Sequence, residues 1–230
     1  MTTDKFTKEL SVKLNLAGKT ITICGLAKGA GMIAPDMATM LGFILTDANI
    51  TQRALDKALS ICVDGSFNCI TVDGCMSTND SVIILANSAS QNSVIDKGKY
   101  FSIFVKALNI VCLELAKMIV HDAEGASKFI QIKVKQAKDF NQAKKAALAI
   151  ANSNLFKTAM YGENPNFGRI ASAIGASGIQ VKEKGLKIRV SPLSKEKITV
   201  EVNLAQGGSE AVIYTSDLTP EYIKINAEYN

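Results

Sequence analysis

Strands and helices interleave in both halves of the 230-residue sequence, which predicts an α/β fold, a layered αβ sandwich with mixed sheets. Three features carry this expectation. An alternating apolar pattern turns back on itself near the N-terminus, one long apolar run has helical length, and several short alternating runs recur after residue 180.

The elements follow in order. Leu10, Val12, Leu14 and Leu16 alternate with polar residues, Ala17-Gly18 makes a turn, and Ile21 and Ile23 resume the alternation, a β-hairpin. Gly25–Gly31 reads as a loop and Met40–Leu45 as a buried strand. Thr51 suits the N-cap of a helix with Leu55, Ala58, Leu59 and Cys62 on its apolar face. Ile70–Val72 reads as a short strand, Asp73–Asp80 as a polar loop, Val82–Leu85 as a further apolar run and Ser88–Gly98 as a connection. Phe101–Val120 is a helix; Lys106, Glu114 and Lys117 interrupt its apolar run, which argues for burial in a core rather than a membrane span.

A soft boundary falls near Gly125. Beyond it, Ile130, Ile132 and Val134 alternate with Gln131, Lys133 and Lys135, a half-buried strand, and Asp139–Asn152 is an alanine-rich helix. Tyr161–Gly168 is turn-rich and Arg169–Ala176 reads as a short helix. Strands are expected at Leu186–Val190, Ile198–Val202, Ala211–Tyr214 and Tyr222–Ile225.

Composition narrows the function. A hydrophobic fraction of 47% with 20% charged residues is ordinary for a globular protein. The net charge of +5 is scattered and Trp is absent, so neither a basic stripe nor a stacking platform for nucleic acid is present. The start of the chain is polar and alternating, unlike a signal peptide. Cys24, Cys62, Cys69, Cys75 and Cys112 are an odd set without a Cys-x-x-Cys pair, the pattern of reduced thiols in a cytoplasm. The spacing of His, Cys and carboxylates matches no metal site.

The richest stretch runs from Lys28 to Asp47. A glycine-rich turn bearing one lysine leads to Ala38-Thr39, and an apolar run follows at once. A threonine directly before such a run, with a small residue ahead of it, suits a self-cleaving N-terminal nucleophile. Cleavage between Ala38 and Thr39 gives Thr39 a free α-amine to serve as its own general base. The glycines allow close approach of backbone to a ligand, and Lys28 offers a cation to a carboxylate. The Gly25–Gly31 segment lacks the Gly-Lys-Ser/Thr ending of a P-loop and the spacing of a dinucleotide fingerprint. His121, the single histidine, sits at a helix end and suits a solvated or capping role; Glu124 lies beside Gly125 in the loop that follows.

Taken together, Met1-Thr-Thr-Asp4, Lys28-Gly-Ala-Gly-Met-Ile-Ala-Pro35, Met37-Ala-Thr-Met-Leu41, Thr46-Asp47, Asp73-Gly74 and Ser77-Thr-Asn-Asp80 are ordered segments of one pattern, continued by His121-Asp-Ala-Glu-Gly-Ala-Ser-Lys128, Asn164-Pro-Asn166, Gly168-Arg-Ile170 and Tyr222-Ile-Lys-Ile-Asn-Ala227. The pattern resembles the bifunctional ornithine acetyltransferase / glutamate N-acetyltransferase family of arginine biosynthesis. The resemblance implies a fold of the self-processing N-terminal-nucleophile type, with self-cleavage at Ala38-Thr39. It implies acetyl transfer from N-acetylornithine to glutamate, releasing ornithine, through an acetyl-threonine on Thr39. Substrate contacts then fall on Thr2, Lys28, Thr39, Glu124 and Asn226. The resemblance implies no bound cofactor, with acetyl-CoA an alternative acetyl donor, and an α2β2 heterotetramer without nucleic-acid or membrane partners.

On that pattern residues 1–38 end an α-chain portion, residues 39–125 form the nucleophile-bearing core and residues 126–230 a C-terminal α/β subdomain. Members of the family carry most of the α chain, including a Thr-Gly oxyanion hole, ahead of the segment at which this sequence begins. The expectation is therefore a C-terminal portion that needs that piece for activity and for covering its apolar face. Two other readings stand beside this one: an amidase or aminopeptidase of the related self-processing fold, and a non-catalytic piece that packs against an α-type partner.

Overall fold

The computed structural model describes residues 3–34 and 40–228. The chain forms two compact units, one of residues 1–70 and 75–122 and the other of residues 71–74 and 123–230.

The first unit holds a four-stranded mixed sheet in the order β1-β2-β3-β4, made of Lys8–Leu16, Lys19–Lys28, Leu41–Thr46 and Ser81–Ala86. β1 and β2 form the expected hairpin, with Leu16 opposite Lys19 across the Ala17-Gly18 turn. β3 runs antiparallel to β2 and parallel to β4. Two helices, α1 (Gln52–Asp64) and α2 (Gly98–His121), pack together, and α2 lies against β1 and β2. The Thr51 side chain caps α1 by accepting from the Ala54 N–H at 3.3 Å. Ile21, Ile23 and Ile44 of the sheet and Phe104, Leu108, Val111 and Leu115 of α2 are buried.

Two expectations change here. The supposed loop from Gly25 is strand as far as Lys28, and Gly25 serves the packing of α2. A Cβ there would lie 2.6 Å from Val111 Cγ1 and 2.7 Å from Leu115 Cδ1, so only a bare backbone lets helix and sheet come together. Met40–Leu45 is not a fully buried strand either. Within β3, Gly42, Ile44 and Thr46 are buried while Leu41, Phe43 and Leu45 are exposed. With Leu26, Ile83 and Leu85 these give the sheet an apolar outer face.

The second unit repeats the recipe with a four-stranded mixed sheet in the order β6-β7-β5-β8: β5 is Phe129–Ala137, β6 Lys187–Val190, β7 Lys197–Asn203 and β8 Ser209–Ser216. β5 is parallel to β7 and antiparallel to β8. The alanine-rich α3 (Phe140–Ala151) packs on β5 and β8; its small side chains permit close seating on the sheet. α4 (Asn154–Tyr161), unmarked by the sequence pattern, and α5 (Phe167–Ala176) pack against α3 and each other.

Ile70–Val72 belongs to no named strand; the Thr71 N–H donates to the Tyr214 carbonyl at 3.0 Å. The last expected strand, Tyr222–Ile225, is instead part of α6 (Pro220–Ala227). Thr219 accepts from the Tyr222 N–H at 3.3 Å as N-cap, and Pro220 occupies the first turn, where its missing N–H costs nothing. No described helix is long and apolar enough to cross a membrane. None of the five cysteines is in a disulfide, and Cys62, Cys69 and Cys112 are buried.

Candidate functional site

Three of the residues singled out above, Thr2, Ala38 and Thr39, lie outside the described residues. In the first unit the structure describes residues 3–34 and resumes at Met40. Lys28 is the last residue of β2 and pairs across the sheet with Leu41. It borders a cleft of about 210 Å³ lined also by Leu26, Leu41 and Phe43.

The main chain around Lys28 is anchored by charge. Asp4 accepts from the Gly29 N–H at 2.8 Å and from Lys8 Nζ at 2.7 Å. Lys8 Nζ also donates to Asp122 Oδ2 at 2.5 Å, and the Asp122 carboxylate accepts from the Lys5 N–H at 3.1 and 3.0 Å. Lys8 and Asp122 are buried. Burial pushes the Asp4 carboxyl up, but the Gly29 N–H and the charges of Lys8 and Lys28 outweigh it and hold the group below the usual carboxylate range. A buried lysine between two carboxylates thus ties the loop after Lys28 to the end of α2.

Met40, the first described residue after Thr39, is held from both sides. Its N–H donates to Asp80 Oδ1 at 2.6 Å and its carbonyl accepts from the Ser81 N–H at 3.2 Å. Asp80 closes the polar loop read from the sequence over Asp73–Asp80. Its second oxygen, Oδ2, is buried and has no hydrogen-bond partner among the described residues. Burial raises the Asp80 carboxyl above its ordinary value, against the backbone N–H donors of Met40 and Ser77 and the charge of Lys28.

In the second unit, Glu124 and Asn226 meet: Asn226 Nδ2 donates to Glu124 Oε2 at 2.9 Å and to the Tyr222 carbonyl at 3.0 Å. Gly125 makes the meeting possible. It has a φ of +63°, and its backbone lies directly on the first turn of α6. Thr219 Oγ1 donates to the Gly125 carbonyl at 2.6 Å, so one residue both caps α6 and fastens it to the turn that carries Glu124. The Tyr222 hydroxyl donates to Asp73 Oδ2 at 3.2 Å, bringing the Asp73-Gly74 segment to the same helix. Asp217 braces the chain after Gly125 by accepting from the N–H groups of Ser127 and Lys128 at 2.9 and 3.0 Å. His121, the last residue of α2, is exposed. Arg169 donates to the Leu155 carbonyl at 2.7 Å and ties α5 to α4.

Sequence reasoning named Lys28, Glu124 and Asn226 but gave no role to Lys8, Asp80 or Asp122. Asp80 and Asp122 lie within the segments Ser77–Asp80 and His121–Lys128. An aspartate at the margin of such a segment was the available signal.

The fold is a layered αβ sandwich with mixed sheets, of the N-terminal-nucleophile class. The crystal structure of the arginine biosynthesis bifunctional protein ArgJ from Bacillus halodurans matches it with a TM-score of 0.78 at 36% identity, covering 81% of this chain and 98% of that one. The ArgJ family model matches residues 1–194 and 190–230, and the chain belongs to the ArgJ family. The arginine biosynthesis bifunctional proteins ArgJ of Staphylococcus saprophyticus and Oceanobacillus iheyensis are 46% and 44% identical to it over 250 aligned residues. Each match takes in 100% of this chain and 61% of the relative, so the chain spans about three fifths of these relatives' length.

Proposed function

We propose that this chain carries the nucleophile of an N-acyltransferase that moves an acetyl group from N-acetylornithine to glutamate. Self-cleavage at Ala38-Thr39 frees the Thr39 amine. The Thr39 hydroxyl attacks the acetyl carbonyl of N-acetylornithine, its proton passing to that amine, and ornithine leaves as the new acetyl ester forms. Glutamate then attacks the ester through its own amine, and Thr39 is regenerated as N-acetylglutamate departs. No resident cofactor enters this cycle; acetyl-CoA stands as an alternative acetyl donor.

One observation carries the cleavage step. The matching crystal chain is covered over 98% of its length by 81% of this chain. Residues 39–230 are about 83% of the 230, so a relative cut at the corresponding bond has the length needed for this asymmetry. The geometry suits amino-acid substrates on each unit taken by itself. Lys28, at a strand end beside a cleft, supplies a cation for a carboxylate. Glu124, held by Asn226, supplies a carboxylate for an ammonium group. Thr2 is the further substrate contact in this reading. The place of action is the cytoplasm and the working assembly an α2β2 heterotetramer of cleaved chains.

The test is direct. Thr39→Ala is expected to remain one uncut chain by intact mass and to form no N-acetylglutamate from N-acetylornithine and glutamate. Cleavage or transfer at the wild-type rate in that variant removes the proposal.

A further inference from the structure

The proposed cycle gives no part to Lys157 of α4, although the structure buries its side chain within the second unit. Its Nζ donates to the Ser216 carbonyl at 2.6 Å, to Thr215 Oγ1 at 3.1 Å and to Ser216 Oγ at 3.3 Å. These contacts use all three N–H groups of the ammonium, and all three acceptors are uncharged. A buried ammonium without a bonded carboxylate is costly. The fields of Asp217 and Asp73 offset part of that cost. On the helices packed against α4, the charged residues are Lys144 and Arg169, both half-buried, and Lys145, which is exposed.

The acceptors lie on the corner between β8 and α6, and that corner holds the turn of Glu124. Thr215, Ser216, Asp217 and Thr219 are all buried. Asp217 Oδ1 accepts from the N–H groups of Ser127 and Lys128, and its Oδ2 accepts from Ser127 Oγ at 2.5 Å. Thr219 Oγ1 donates to the Gly125 carbonyl. Lys157 grips the corner twice, through its ammonium and through its own carbonyl, which accepts from the Leu218 N–H at 3.4 Å. A short path of hydrogen bonds thus runs from Lys157 through the corner to Gly125 and to Ser127. We infer that Lys157 is a positioning residue for the Glu124–Asn226 pair: its ammonium sets the corner from which Asp217 and Thr219 hold the turn that carries Glu124. The inference rests on the reading of that pair as a substrate contact proposed above.

The proton on Lys157 decides how the corner is set. Ser216 Oγ donates to the Asp217 carbonyl at 3.1 Å and Thr215 Oγ1 to the Ala151 carbonyl at 3.4 Å. Each hydroxyl therefore gives its hydrogen to the main chain and a lone pair to Lys157. A neutral amine has two N–H groups and one lone pair, so one of the three contacts must lapse or reverse. A carbonyl cannot donate; a reversal takes a hydroxyl away from the Asp217 or the Ala151 carbonyl. Burial brings the Lys157 ammonium down to about 8, which places this change just above neutral pH. The neutral amine suits a buried site, but the corner then has one bond fewer.

Lys157→Met removes the donors and keeps much of the bulk. At temperatures where the variant is fully folded, its KM for N-acetylornithine is expected to rise about three- to tenfold, with kcat within about threefold of wild type. A rise below about threefold overturns the inference, because a lysine that only stabilises the fold leaves the KM of folded molecules unmoved. A second measurement needs neither the variant nor catalysis. In an NMR titration of the wild-type protein across pH 8, the amide signals of Ser127 and Lys128 and the side-chain amide signals of Asn226 are expected to shift together with the Lys157 ammonium. Signals that stay fixed across that window overturn the inference even if Lys157→Met fails to fold. Glu124→Gln separates the two levels. An unchanged KM in that variant refutes the pair as a substrate contact, whereas signals at Ser127, Lys128 and Asn226 that follow Lys157 still uphold its positioning role.

Discussion

Replacing Gly125 with alanine tests how the fold builds the Glu124–Asn226 pair. The residue sits at a φ of +63°, a left-handed conformation that costs an L-residue about 1–2 kcal/mol. Space is the larger difficulty. The added Cβ would lie 2.9 Å from Tyr222 Cα, 2.7 Å from the Glu221 carbonyl carbon and closer still to the Tyr222 nitrogen. All three are backbone atoms in the first turn of α6, so no side chain can swing aside; the turn or the helix must shift. Overpacking of this kind costs about 1–3 kcal/mol. Together the two terms give a loss near 3 kcal/mol, a fall in Tm of roughly 6–12 °C for a protein of this size.

The same shift pulls α6 from the turn, weakening the Thr219–Gly125 and Asn226–Glu124 hydrogen bonds of 2.6 and 2.9 Å. Acetyl transfer is then expected to show a raised KM for the amino-acid substrate at temperatures where the variant is fully folded. Calorimetry and steady-state kinetics on one preparation read both effects. A loss of stability under about 0.5 kcal/mol, the range of an ordinary surface substitution, would refute the reasoning.

Other outcomes follow from the remaining geometry. Lys28→Ala is expected to raise KM or lower kcat while shifting stability by no more than about 0.5 kcal/mol; unchanged kinetics would return Lys28 to an ordinary surface role. Lys8→Met leaves the buried carboxylates of Asp4 and Asp122 without their shared cation and is expected to cost about 3–5 kcal/mol in denaturant unfolding. Lys157 donates to the Ser216 carbonyl at 2.6 Å and is buried, which pulls its ammonium from the ordinary 10.5 down to about 8, against the pull of Asp217 and Asp73. The folded protein releases this proton near pH 8 while the unfolded chain keeps it to about 10.5, so the unfolded state binds more protons between them. Wild-type stability, measured against Lys157→Met, is therefore expected to rise across that window by up to about 3 kcal/mol; a flat or falling difference in urea unfolding would contradict it.

The parts of the fold legible in the sequence are those whose burial has a short period. β1 and β2 alternate because one face of their sheet meets α2, and α2 is a single long apolar run because its Phe104, Leu108, Val111 and Leu115 fill the core. The misreadings have tertiary causes or overlooked caps. Gly25 resembled a loop glycine, but its reason is Val111 and Leu115 of α2. Tyr222, Ile223 and Ile225 favour a strand, yet Thr219-Pro220 ahead of them is a helix start and prevails. α4 is eight residues long, and the Ser153 cap that accepts from Phe156 N–H was its one sequence signal. At the site, Lys28, Glu124 and Asn226 were named through the resemblance. No local pattern shows that Glu124 meets a residue 102 positions away, or that Lys8 meets one 114 positions away.

The central claim is that Thr39 becomes an N-terminus and carries the acetyl group. The most direct measurement incubates the purified protein briefly with N-acetylornithine, quenches it in acid, and sequences and weighs the chains. The account predicts a chain that starts at Thr39 and bears one acetyl ester on that residue, which disappears when glutamate is added as N-acetylglutamate forms. An active protein whose chain runs uncut through Ala38-Thr39, or whose acetyl group sits on any other residue, would contradict it.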